Sequence, residues 1–165
     1  MDYISIYLQT KSKGVDAEIK SIGISDGKTS DVFKDPLEIV SRVHQLIEQN
    51  GSVVDPAIIV NASDITTRLF KRFGIYEALK KFQILGVLET AHRQYREGKL
   101  PLPNSENGKR LNGLDQVHVA LKDLGYRPSG RGTFNKPAAH SKYLIELIGC
   151  LKSNQVASSG LSYGT

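Results

Sequence analysis

The chain has 165 residues, 39% of them hydrophobic, with 22 Lys/Arg against 17 Asp/Glu and a formal net charge of +5. That length and apolar content suit one domain with an ordinary core, and no apolar run approaches the roughly 18 residues that a membrane-crossing helix needs. The start, Met1-Asp2-Tyr3-Ile4, lacks the basic flank and apolar stretch of a signal peptide, and the single cysteine, Cys150, has no partner for an internal disulfide. A cytoplasmic or nuclear protein with no membrane partner is therefore expected, with Cys150 packed among Leu147, Ile148 and Leu151. Charge is unevenly divided: residues 1–64 carry 6 Lys/Arg against 10 Asp/Glu, and residues 65–165 carry 16 against 7, a net of +9. The second part is where a polyanion would bind, unless its cations only solvate helix faces.

Ile4, Ile6 and Leu8 alternate with Tyr3, Ser5, Tyr7 and Gln9, the pattern of a half-buried strand. Residues 17–24 and 29–33 flank Ser25-Asp26-Gly27-Lys28, where Asp-Gly supplies the positive φ of a tight hairpin, so two further strands should pair antiparallel beside the first. Asp35-Pro36-Leu37-Glu38 has an N-cap, a proline at the first helical position and a glutamate three places after the cap, the signature of a capping box; that helix should end near Asn50-Gly51. Ala57-Ile58-Ile59-Val60 predicts a buried parallel strand, after which Ser63 or Asp64 can cap a helix carrying Ile65, Leu69 and Phe73.

Gly74 breaks that helix, residues 76–82 predict another short one, and residues 84–88 predict a fifth strand running into a helix through Tyr95. Residues 98–113, with Asn107-Gly108 and Asn112-Gly113, read as an exposed loop. A helix resumes with Leu114, Val117, Leu121 and Leu124 on one face and stops at Gly125; residues 126–137 form a second loop, rich in Gly, Pro and Arg. The last helix carries Leu144, Leu147, Ile148 and Leu151, so the domain should span residues 1–152, with 153–165 a disordered tail.

The order of these elements, with Gly113-Leu114-Asp115-Gln116-Val117, Leu124-Gly125-Tyr126, Ser129-Gly130-Arg131 and Asn135-Lys136-Pro137-Ala138-Ala139-His140-Ser141, resembles the DnaQ-like (DEDD) 3′–5′ exonucleases. The resemblance implies an α/β, ribonuclease H-like fold: a mixed sheet of three antiparallel strands followed by parallel strands, flanked by helices. It also implies four metal-binding carboxylates and a catalytic histidine. The first motif, an Asp and a Glu two apart on strand one, falls on Tyr7 and Gln9. The second, a strand leading to His-Asn-Ala and an Asp, falls on Val60-Asn61-Ala62-Ser63-Asp64, with Asp64 one place early. In the last, Asn135 stands at the histidine position and His140 at the final aspartate.

Two divalent ions need several negative oxygens to hold them, and a single aspartate does not supply these. The four histidines, His44, His92, His118 and His140, fall on separate helices without ligand spacing. No metal, no cofactor and no catalytic residue is therefore expected. The sequence points first to an inactive exonuclease-like domain that binds single-stranded RNA or DNA, through Arg127, Arg131, Lys136 and Lys142 for phosphates and Tyr126 and Phe134 for stacking. Tyr143 lies in the same cluster, and the bland alternative is that Tyr143 and Phe134 pack into the core while the cations merely face solvent. The competing class is a scaffold that docks another protein or forms a homodimer, and the third is an active metal-dependent nuclease with a rebuilt site.

Overall fold

The alternating segment at the start forms β1 (Tyr3–Thr10), the central strand of a five-stranded sheet in the order β3-β2-β1-β4-β5. In this computed structural model residues 3–51, 54–103, 111–130 and 136–163 are described, with side chains as far as Ala157. β1 pairs antiparallel with β2 (Ile19–Ser25), which pairs antiparallel with β3 (Ser30–Phe33). On the other side β4 (Ala57–Val60) lies parallel to β1, and β5 (Ile84–Gly86) parallel to β4. The mixed sheet is the one expected, and the hairpin forms as Asp-Gly dictates. Gly27 has φ 93°, and Asp26 Oδ1 accepts hydrogen bonds from the N–H groups of Lys28 and Thr29 at 2.9 and 2.7 Å.

The helices are α1 (Ile39–Asn50), α2 (Ser63–Arg72), α3 (Tyr76–Leu79), α4 (Val87–Arg96), α5 (Leu114–Asp123) and α6 (Pro137–Tyr163). They cover both faces of the sheet. Ile4, Ile6, Ile22, Ile24, Ile58 and Val60 pack with Val43, Phe70 and Leu79 on one side, while Ile59 packs with Val87, Val117, Leu121, Tyr143 and Leu147 on the other. The alternation in β1 therefore marks two covered faces, not one buried and one wet: Ser5 is as fully buried as Ile4. No helix among the described residues is long and apolar enough to cross a membrane.

Several local expectations are corrected. Asp35 does cap, accepting from the Leu37 N–H at 3.0 Å, but it opens a 3-10 turn (Pro36–Glu38), and Glu38 pairs with Arg42 at 3.6 Å where a capping box was expected. The fifth strand is only three residues long, because α4 begins at Val87. The last helix runs on to Tyr163, into the segment expected to be a disordered tail. Asn154 is buried there and donates to Gln94 Oε1 at 2.8 Å and to the Lys99 carbonyl at 2.9 Å, contacts that polar composition does not reveal.

α6 lies across β1, β2 and β3, and its first turn comes down onto β2 at Gly23. An added Cβ at Gly23 would stand 2.1 Å from the Pro137 carbonyl oxygen, so only glycine permits this approach. One turn on, Ser5 Oγ donates to the Ser141 carbonyl. Gly23→Ala is expected to destabilise the protein by about 1–3 kcal/mol through overpacking. Gly149→Ala on the same helix, where an added Cβ meets nothing within 4 Å, should instead stabilise by up to about 1 kcal/mol. Urea denaturation of both variants checks the pair, and a Gly23→Ala protein as stable as the wild type would show that α6 is not held at this point.

Candidate functional site

The far end of β1 opens into a cleft of about 570 Å³. Tyr7, Gln9 and Thr10 of β1, Lys13 and Gly14 of the loop after it, Asn61 beyond β4, and Ile65, Thr66 and Leu69 of α2 are among its walls. The period of a strand puts Tyr7 and Gln9 on one face. The docking of α6 then brings His140 against Tyr7. Their rings stack with centroids 4.4 Å apart and planes 9° from parallel, and His140 is only 6% exposed. Two positions that lie 133 residues apart in the chain, and that the resemblance assigns to metal-binding aspartates, thus meet in space as an aromatic pair.

The other expected positions separate. Asp64 is exposed in the first turn of α2, pairs with Arg68 at 3.4 Å, and is not among the residues that line the cleft. Asn135, Arg131 and Phe134 lie outside the described residues. Arg127 is exposed and donates to the Tyr126 carbonyl at 2.9 Å; Tyr126 is half-buried against the core beneath α5 and α6. Lys136 and Lys142 are both exposed, just before and just after His140. Tyr143, by contrast, is 2% exposed and shares a 2.7 Å hydrogen bond with His118 Nδ1, so that ring belongs to the core and is no platform for bases.

The metal chemistry that the resemblance implies does not fit this donor set. A phenol, an amide and an imidazole are poor ligands for magnesium, and no cluster of three or more His, Cys, Asp or Glu side chains among the described residues is arranged to hold an ion. The four histidines are engaged separately: His44 tilts over Phe82, His92 Nε2 hydrogen bonds the Leu111 carbonyl, His118 meets Tyr143, and His140 stacks on Tyr7. Burial and then the Lys122 charge push the His118 imidazole below its ordinary value, which favours its neutral form. Cys150 is half-buried against the same core, and burial raises its thiol.

One carboxylate that sequence reasoning passed over does organise the site. Neither Ser63 nor Asp64 caps α2 with its side chain. Glu89, reaching from α4, accepts from the Ser63 N–H at 3.0 Å and the Asp64 N–H at 3.2 Å. Gly86 makes room for it, since a Cβ there would stand 1.9 Å from Glu89 Oε1. The only sequence signal was an acidic residue in the first turn of α4, which reads as serving its own helix. Nearby, Asn61 Oδ1 is buried without a hydrogen-bond partner, which leaves an acceptor whose desolvation is uncompensated.

No protein-family model and no curated protein sequence matches the chain. Among solved structures, the EXO domain of Nibbler from Aedes aegypti is similar, with a TM-score of 0.58 at 14% identity over 95% of this chain and 80% of that one. The fold is ribonuclease H-like. In this ribonuclease H-like domain the Tyr7–His140 stack and the cleft beside it lie at the open end of the central strand, where β1 outruns its parallel neighbour β4.

Burial pushes the Glu89 carboxyl up, but hydrogen bonds from the Ser63 and Asp64 backbone, with further ones from its own backbone and the Ser63 side chain, together hold it below its ordinary 4.5. A depressed carboxyl contributes stability above its unfolded value and loses it as pH falls through the folded one. Glu89→Gln should therefore cost about 0.5–2 kcal/mol at neutral pH, the range of a lost cap. The gap from wild type should narrow below pH 4.5 as the wild-type carboxyl protonates. Urea titrations at neutral pH and at about pH 3 check this; a gap that stays constant would mean that shape, not charge, is what Glu89 supplies.

Proposed function

We propose that this chain is an exonuclease-like domain that binds single-stranded nucleic acid without cutting it. The observation that carries the proposal is the Tyr7–His140 stack. At the place where the resemblance calls for carboxylates that hold two metal ions and activate water, the chain presents two packed rings. Phosphate contact and base stacking are separable from that chemical step. The cleft keeps polar groups suited to binding: the Gln9 and Asn61 amides, the Thr10 and Thr66 hydroxyls and the Lys13 ammonium. Asn61 Oδ1, buried and unpartnered, is an acceptor that a ligand's N–H or O–H would satisfy. Lys136 and Lys142, at the end of α6 that closes over Tyr7, supply positive charge for the phosphates.

A protein partner is the second reading. It is favoured by a groove of about 500 Å³ beside β5, where Leu85, Ile148 and Val156 are among the lining residues and Val156 is 73% exposed.

Two outcomes are expected. With magnesium or manganese present, the purified protein leaves a labelled single-stranded oligonucleotide intact, and Tyr7→Asp with Gln9→Glu does not restore cutting, since Asn135 and His140 remain in place. Stepwise shortening by wild-type protein free of contaminating nuclease would overturn the inactive assignment. The second outcome concerns binding to a fluorescent oligonucleotide, which should weaken with salt. Lys136→Ala with Lys142→Ala should reduce the log–log slope by about 0.7 per lost phosphate contact, whatever the base sequence. Absence of wild-type binding at low salt would transfer the role to the protein-partner reading.

A further inference from the structure

α2 and the segment after it carry a second concentration of cations. Between residues 64 and 82 stand Arg68, Lys71, Arg72, Lys80 and Lys81, against only Asp64 and Glu77. The two carboxylates are used locally, Asp64 on Arg68 at 3.4 Å and Glu77 on Lys80 at 2.5 Å. The remaining three cations form no ion pair among the described residues and lie over aromatic rings instead. Lys71 Nζ sits 4.8 Å from the Tyr76 ring centre, Arg72 Cζ 4.7 Å from that of Phe73, and Lys81 Nζ 5.0 Å from that of Phe82.

A ring attracts a cation without neutralising it. All three of these residues are exposed, so the face presents positive charge whose side chains are already partly ordered by packing. Arg42 shows the contrast: it too lies over a ring, that of Phe33, but Asp31 and Glu38 cancel its charge. Lys71, Arg72 and Lys81 have no such carboxylate among the described residues.

The face is also continuous with the cleft. Ile65, Thr66 and Leu69 of α2 line the cleft, and Arg68, Lys71 and Arg72 of the same helix are exposed. Arg72 joins the two sides. Its guanidinium donates to the carbonyls of Val15 and, at 2.8 Å, Ala17, which ties the loop bearing Lys13 and Gly14, one lip of the cleft, to the end of α2. A chain of phosphates leaving the cleft past that lip would reach Arg72 and Lys71 at the end of α2.

We propose that the exposed cations of α2 and of the segment that follows it, as far as Lys81, form a phosphate-contacting surface for single-stranded nucleic acid whose end occupies the cleft. This rests on the binding role proposed above and extends it to a path outside the cleft. A single strand suits the surface because the route bends around the lip and a flexible backbone can follow it.

The experiment is a titration of the full chain with fluorescent oligonucleotides of about 4 and about 12 nucleotides, spanning the usual range of single-strand site sizes, at several salt concentrations. Three double variants accompany the wild type: Lys71→Ala with Lys81→Ala, Lys71→Arg with Lys81→Arg, and Lys136→Ala with Lys142→Ala. Arg72 is left intact because it holds the lip. The longer oligonucleotide should bind the wild type more tightly and with a steeper salt slope than the shorter one. The first variant should lose about 1.4 from the slope for the longer oligonucleotide, and most of the length advantage, with an unchanged melting temperature. The arginine variant should behave like wild type. If wild type binds and the Lys136/Lys142 variant weakens it, but the Lys71/Lys81 variant leaves the slope untouched, the path past these cations is wrong and the binding role stands. If wild type binds neither oligonucleotide, both fall. Equal affinity for poly-glutamate of matched charge would also overturn the proposal and make an acidic protein the occupant of this face.

Discussion

Everything at the candidate site depends on how closely α6 approaches the sheet. The first turn of that helix rests its Pro137 backbone on β2 at the one position, Gly23, where no side chain intervenes. The buried Ser5 hydroxyl then fixes the helix by its bond to the Ser141 carbonyl. This contact, with the apolar face of α6 in the core, carries His140 to Tyr7. Close packing makes such an approach nearly all-or-none, because a helix displaced by one methyl group forfeits contacts along its whole length. The ring stack, the covered face of β1 and the position of Lys136 and Lys142 are consequences of the same docking.

The charged groups divide their work in an instructive way. Carboxylates near the cleft are spent on the architecture: Glu89 holds the start of α2, Asp64 pairs with Arg68, and Glu18 pairs with Lys11 beside the loop. Cations are held in another manner, by rings and by carbonyl oxygens, as at Arg72. The result is a cleft with amides, hydroxyls and an ammonium on its walls and no carboxylate among its lining residues. Among the described residues no group of three or more His, Cys, Asp or Glu side chains is arranged there to hold a divalent ion.

Much of the fold was legible because its signals are local. Alternation at Tyr3–Gln9, Asp26-Gly27 in the hairpin, the apolar run at Ala57–Val60 and the spacing of Leu144, Leu147, Ile148 and Leu151 each express a backbone period or a dihedral preference that a few residues specify. The exceptions also have local causes. The capping box failed because Glu38 found Arg42 one turn ahead, and β5 proved short because Val87 already belonged to α4.

The sequence by itself determined the element order and the mixed sheet, and it set Tyr7, Gln9 and His140 at the positions where the resemblance expects carboxylates. Only the tertiary structure decided which of those positions meet. It paired Tyr7 with His140 and left Asp64 outside the cleft. It gave α2 its cap from Glu89, 26 residues beyond Ser63, and extended α6 past Ser153 through Asn154. It also sent Tyr143 into the core while leaving Lys71, Arg72 and Lys81 exposed on their rings. The reason is the range of the forces involved: period and turn chemistry act within a few residues, whereas a cap, a ring stack or an uncompensated charge is defined by neighbours that only the packed chain brings together.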